Sequence, residues 1–487
     1  MYSLMHEPDR RVDRLGDVAK PRQERRTNGE RLHDLQSTPG RTYLCRPRTS
    51  AHTRLPRVPR TDLPGSFREP FAELERRGPH LAVVHLAAAC LWLMLLGVSR
   101  GAEGVAFGVL MAVAVIRLPV TWRVYARLLD ASPFLAFLCF AEWQSLSVLW
   151  SQAKGISLND LVPRYVLACL AIWPLMGRWR TLMLALAAGA AAYAAFIVAL
   201  FALKPTPTQQ WLVARVTSDI PTAGITMAVA LAAMTGRPWP PGWWARGAVV
   251  LGACMALCGI GTLGQRMPMI AGIGGAMAGL FAPPSGHRTL RTLAWRVALA
   301  LATVAALGSL ALMVAGGRNR AWVSSVYSTI ADTGRPLDHE AAAQLTSERI
   351  PLARMAIAIW SDHPLFGAGA QGFAVENKRR IGADPDFYGC SPERTAGIAR
   401  LSSAHNAFLD EAAARGIVGI SLLAILVATC AWWAWRADPS TGTLGMLTAW
   451  LALSLTTPAS LRTVPMMLLA IIVARTSMLA GCRRPLG

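Results

Sequence analysis

The sequence predicts an all-α polytopic membrane protein of about twelve transmembrane helices, with one long, partly helical periplasmic loop. Three observations lead there. Hydrophobic residues make up 53% of the 487 positions and charged residues 16%, the balance of a membrane bundle rather than a soluble domain. Apolar runs recur from about residue 80 to the C-terminus and are interrupted by one long polar insert, residues 316–415. The net charge of +21 gathers in the N-terminal tail and in alternate short loops between the apolar runs, so topology accounts for it better than nucleic acid does.

Residues 1–78 are polar, Arg-rich and interspersed with proline, and are expected to form a disordered basic cytosolic tail. A basic arm resting on anionic lipid and a misassigned start are the alternatives. The tail contains no n-region followed by an apolar h-region, so no cleaved signal peptide is expected.

Residues 79–315 carry nine expected spans, near 80–98, 102–117, 131–150, 161–176, 180–203, 221–235, 245–263, 267–283 and 295–315. Residues 416–487 carry three more, near 416–435, 442–459 and 463–480, and a short cytosolic tail. Several are shorter than the roughly 20 residues a spanning helix needs. These must extend into polar flanks or be broken. Glycine and proline are frequent, as expected where membrane helices pack through small residues.

Basic residues orient the bundle. With a cytosolic N-terminus, the inside loops hold Arg123, Arg127, Arg178, Arg180, Arg237, Arg246, Arg288, Arg291, Arg296, Arg436, Arg483 and Arg484. The outside loops hold fewer: Arg100, Lys154, Lys204, Arg215, Arg266 and Arg462. This positive-inside asymmetry places the insert outside the membrane.

Cysteines give no disulfide framework. Most fall in apolar runs, and Cys254 and Cys258, one helical turn apart among small residues, read as packing rather than a metal site. Cys390 stands alone in the insert.

Chemistry outside the membrane has no ATP to draw on, and the sequence carries neither a Walker loop nor a paired-carboxylate or H-E-x-x-H motif. Gly367 to Gly372 has G-x-G-x-x-G spacing, but no strand precedes it, and it reads as a tight turn after His363-Pro364. An enzyme placed here needs a substrate that arrives activated. A lipid diphosphate-linked sugar is one, and arginines suit its diphosphate. The candidates are Arg266, between two spans, and Arg349, at the start of a helix expected to run to Trp360. Arg318 and Arg320 read as snorkelling to lipid phosphates. Near the end of the insert stand His405 and Asn406, on a segment expected to be helical. Glu142, in a span, is a candidate by rarity alone and receives no role.

His405-Asn406, then nine residues, then Gly416-x-x-Gly419, resembles the H-N-x9-G-x-x-G signature of the bacterial O-antigen ligase family. Arg349 followed by Pro364, Gly367 and Gly369 resembles that superfamily's R-x14-P-x-x-G-x-G segment. Gln265-Arg266-Met267-Pro268 is similar to its short Arg-containing turn, and Ser145 to Ser151 to a segment common early in the family. Together these cover roughly residues 130–435. The sequence departs at Gln265, where Ser is usual, and at Ala353, where Trp is frequent; the first bears on Arg266.

The resemblance implies a glycosyltransferase of the bacterial inner membrane, metal-independent and without a cofactor, with its site facing the periplasm. A glycan would pass from undecaprenyl diphosphate to a hydroxyl of the lipid A–core, with inversion. His405 would be the general base. Arg266 and Arg349 would bind the diphosphate, and Asn406 would orient the imidazole or a sugar hydroxyl. Gly416 and Gly419 would share a helix face and allow close packing, with Pro364, Gly367 and Gly369 as the structural motif. Partners are then the lipid-linked donor, a lipid A–core or other glycan acceptor, and membrane lipids, with no nucleic acid. A polysaccharide polymerase with the same donor is the alternative. A transporter or flippase is disfavoured because the notable charges gather at one face.

Overall fold

The computed structural model describes residues 74, 78–97, 100–153, 163–202, 220–234, 243–262, 266–281, 339–340, 343, 346–437, 442–457 and 463–481. All lie in the compact unit Arg60–Gly487. Among the described residues every regular element is helical. That is the solution required of a spanning chain, because helices satisfy their own backbone groups where water is absent.

The helices are α1 Pro79–Leu95, α2 Arg100–Leu129, α3 Ser132–Leu146, α4 Arg164–Ile172, α5 Trp179–Ala202, α6 Ile220–Met234, α7 Trp243–Thr262 and α8 Arg266–Phe281. After the insert's first part come α9 Arg349–Asp362, α10 Gly372–Ala383, α11 Pro392–Ala399, α12 Ala407–Ala437, α13 Thr443–Ser454 and α14 Thr463–Gly481. Five stretches are long and apolar enough to cross a membrane: 101–129, 132–150, 164–199, 407–436 and 463–481. Five shorter apolar helices accompany them.

The expected spans overlap described helices, except that near 295–315, which lies outside the described residues. Three differ in extent. Helix α2 runs on to Leu129, past Pro119, because Arg117 is buried and reaches His85 at 3.3 Å instead of ending the span. The span expected at 161–176 is a nine-residue helix followed by a 3-10 segment, Trp173–Arg178, with Pro174 at its start. Helix α12 begins at Ala407, well before the expected 416, and carries its break at Gly416.

Helix α14 is the axis of the bundle, buried from Pro465 to Ala480 and packed against α3, α4, α12 and α13. A helix apolar on every side belongs in such a place. Helices α8 and α13 approach so closely that a Cβ on Gly275 would lie 2.6 Å from Gly445 O and 2.7 Å from Ala449 Cβ. A Cβ on Gly445 would in turn meet Gly275 O at 2.5 Å and Gly279 N at 3.3 Å. Contacts climb one helix as they descend the other, so the two run antiparallel. The Arg266 end of α8 and the Ser454 end of α13 are therefore at the same end of the pair.

Candidate functional site

The site is organised around the break in α12. Gly416 has φ 65 and ψ −159, a conformation reserved essentially for glycine. A helix broken there loses the i→i−4 bonds from Ile417 and Val418 to Ala413 and Ala414. The Pro364–Gly369 segment supplies replacements. Ile417 N–H donates to Pro364 O (2.8 Å) and Val418 N–H to Leu365 O (3.5 Å). Ala413 O and Ala414 O accept from Ala368 N–H (2.9 Å) and Gly369 N–H (2.8 Å). Two backbones must nearly touch to do this. A Cβ on Gly367 would lie 2.3 Å from Ala414 C, and one on Gly416 2.2 Å from Leu365 O. Contrary to the expectation from the sequence, Gly416 and Gly419 therefore do not share a continuous helix face; Gly416 is the discontinuity itself. Gly419 leaves room beside Arg415, whose Cβ would stand 2.4 Å from a Cβ there.

Beneath the break lies a buried polar cluster joining α3, α4 and α12. Arg415 Nη1 donates to Glu411 Oε1 at 2.8 Å, one helical turn away, and Arg415 Nε to Ser147 Oγ at 3.1 Å. Gln144 Nε2 donates to the same Glu411 oxygen at 3.0 Å, and Tyr165 OH donates to Gln144 Oε1. Glu411 is fully buried, which a carboxylate tolerates only with such partners. Above it, Trp143, Trp150 and Phe366 cluster with ring centroids 5.4–6.1 Å apart, and both indole N–H groups donate to backbone carbonyls. Such amphipathic rings suit a membrane–water boundary.

His405 and Asn406 are not helical, contrary to expectation; they form the turn that starts α12. Asn406 Oδ1 accepts from Phe408 N–H (3.0 Å) and Leu409 N–H (3.2 Å), the bonds of an N-cap. That local alternative to helix is what Asn side chains favour. Its Nδ2 donates to Leu455 O at 3.2 Å. Arg349 opens α9, and its Nη2 donates to the next carbonyl, Thr456 O, at 3.3 Å. Those carbonyls follow the C-terminus of α13, where acceptors are orphaned and cations favoured. Partial burial lowers the pKa of Arg349, and a guanidinium remains charged nonetheless. Strain marks the same place. Among the described residues four non-glycine residues have positive φ, and three of them are Ser347 (50), Glu348 (67) and His405 (54), beside or within this pair. Each such residue costs on the order of 1–3 kcal/mol, and strain of this kind clusters at functional sites.

The insert supports the turn from behind. Leu352, Met355, Ile359, Phe373, Tyr388 and Ile398 form its own apolar core. Asn377 Nδ2 donates to Ile398 O and Leu401 O, both at 3.1 Å, and Tyr388 OH donates to Asn377 Oδ1 at 2.7 Å. Burial raises the Tyr388 phenol's pKa, so it stays a neutral donor. Further round, Asp410 in α12 accepts Ala404 N–H at 2.6 Å. His363 ends α9, and its carbonyl accepts Gly367 N–H at 3.0 Å.

The structure thus brings Arg349 together with the His405-Asn406 turn at the end of α13. Arg266 is the first residue of α8, whose start lies at that same end of the α8–α13 pair. Pro364, Gly367 and Gly369 meet Gly416 in the brace. Arg318 and Arg320 lie outside the described residues. Sequence reasoning missed Asp410, Glu411, Gln144 and Tyr165. The available signals were two adjacent carboxylates at the start of a membrane helix and the i,i+4 spacing of Glu411 and Arg415.

Long apolar helices with a polar, strained site at the ends of several of them define a membrane protein with an interfacial site. Residues 245–424 match the family model described as O-antigen ligase (Wzy_C). The match contains Arg266, Arg349, the Pro364–Gly369 brace, His405, Asn406, Gly416 and Gly419. It supports a ligase- or polymerase-type function on lipid-linked glycans. No curated protein matches the chain.

Proposed function

We propose that this protein transfers a glycan from undecaprenyl diphosphate to a hydroxyl of the lipid A–core at the periplasmic face of a bacterial inner membrane. One observation carries the reading: Arg349 and Asn406, the neighbour of His405, reach consecutive carbonyls at the end of α13. A guanidinium for the diphosphate and an imidazole for the acceptor hydroxyl then share one location. His405 removes the proton from the attacking hydroxyl. Arg349 and Arg266 hold the diphosphate and offset the charge that grows on it as the glycosidic bond breaks. Attack opposite the departing diphosphate inverts the anomeric centre. The insert's placement outside the membrane rests on the distribution of basic loops.

The test is glycan transfer in membranes supplied with a polyprenyl diphosphate-linked glycan and lipid A–core. His405→Ala is expected to lose about 10²–10⁴-fold in rate. Arg349→Ala and Arg266→Ala each remove a charge-assisted contact of about 1.5–3 kcal/mol, and Lys restores the function only in part because it lacks the bidentate fork. Full activity of His405→Ala, or of both Arg variants, ends the assignment. Elongation of a lipid-linked glycan without transfer to lipid A–core identifies a polymerase instead.

A further inference from the structure

We infer that Asp410 is the positioning residue for His405: its carboxylate grips the backbone immediately before the imidazole and fixes where the imidazole is presented. The inference deepens, and rests on, the reading of His405 as the base. His405 has φ 54. A non-glycine residue keeps that left-handed conformation only where its surroundings over-determine it.

Both neighbours of His405 are held. On the C-terminal side, Asn406 caps α12 and reaches Leu455 O. On the N-terminal side, Ala404 N–H donates to Asp410 Oδ1 at 2.6 Å. Asp410 N–H in turn donates to Asn406 O at 2.8 Å, closing a ring of contacts around the histidine's backbone.

Asp410 is not needed to start the helix, because Asn406 already caps it. Nor is it a solvated carboxylate. It is 1% exposed, and its Oδ2 has no hydrogen-bond partner among the described residues. A carboxyl group buried with one oxygen unpaired carries a desolvation cost that capping does not explain. The contact in view is its grip on the backbone leading into His405. Its acidic neighbour Glu411 is engaged separately, with Arg415 and Gln144.

The experiment uses full-length protein in membranes, with the polyprenyl diphosphate-linked donor and lipid A–core acceptor, and normalises transfer to the amount of inserted protein. Asp410→Ala is expected to lower kcat about 100-fold, the cost of a base misplaced by about 1 Å, with the donor KM little changed. Asp410→Asn keeps an oxygen that accepts Ala404 N–H and is expected to restore most of kcat. Asp410→Leu, of similar bulk but without an acceptor, replaces the Ala variant should that one fail to accumulate. In a His405→Ala background, loss of the Asp410 acceptor is expected to add nothing. Wild-type kcat in both Asp410→Ala and Asp410→Leu overturns the inference. So does an Asp410→Asn variant as slow as Asp410→Ala, or an equal further loss in the His405→Ala background. A fully active His405→Ala overturns the base assignment itself, whereas an inactive His405→Ala beside active Asp410 variants overturns only the positioning role.

Discussion

Helices α12 and α14 pack against each other and are built on opposite principles. From Pro465 to Ala480, α14 is buried with no non-helical residue inside it, and apart from Arg475, Thr476 and Ser477 near its end it is apolar. The first turns of α12 bury Asp410, Glu411 and Arg415, and its ladder is broken at Gly416 and completed by another part of the chain. The difference teaches that a helix held by apolar packing tolerates other apolar residues of similar volume. A helix that buries charge depends on individual partners, and removing one of them strands the other.

Four substitutions sharpen that contrast, all read as thermal stability in detergent alongside transfer per inserted protein. The largest effect is expected from Glu411→Ala, which leaves Arg415 buried without its carboxylate and costs about 3–5 kcal/mol. Gly416→Ala follows. Its backbone strain costs about 1–3 kcal/mol, with a clash against Leu365 O in addition, and transfer is expected to fall with stability. Asn406→Ala removes the cap for about 1 kcal/mol and also loses transfer, because the turn carrying His405 loosens. Ile471→Val in α14 is expected to cost about 0.5–1.5 kcal/mol while transfer stays at the wild-type level. Should Ile471→Val impair transfer as much as Asn406→Ala, or Glu411→Ala prove harmless, the two helices do not differ in the way described.

Hydropathy made the bundle legible, because a run of apolar residues has few fates other than lipid or a bundle interior. Extents were less legible. Arg117 looked like the end of a span, and its burial beside His85 is a tertiary fact. The His405-Asn406 pair and Arg349 were visible as residue types at familiar spacing, but their meeting at Leu455 O and Thr456 O depends on where α13 ends. The brace was hidden most thoroughly. Its bonds run between backbone groups far apart in sequence, so the only trace at the sequence level is the glycines that permit the approach. Those glycines were noticed, as a turn and as a packing face, and the partner that explains both was not in view.

The brace has a mechanical consequence. Pro364–Ala370 is stitched to α12 at Ala413, Ala414, Ile417 and Val418, and to the end of α3 through Ala370 N–H on Ser147 O at 3.1 Å. To swing away like a hinged cover, the insert must strip donors and acceptors from α12, at a cost of about 1–3 kcal/mol for each buried group left without a partner. Such a cost couples the Pro364–Ala370 segment, the first turns of α12 and the end of α3, so that a displacement of one is expected to carry the other two with it.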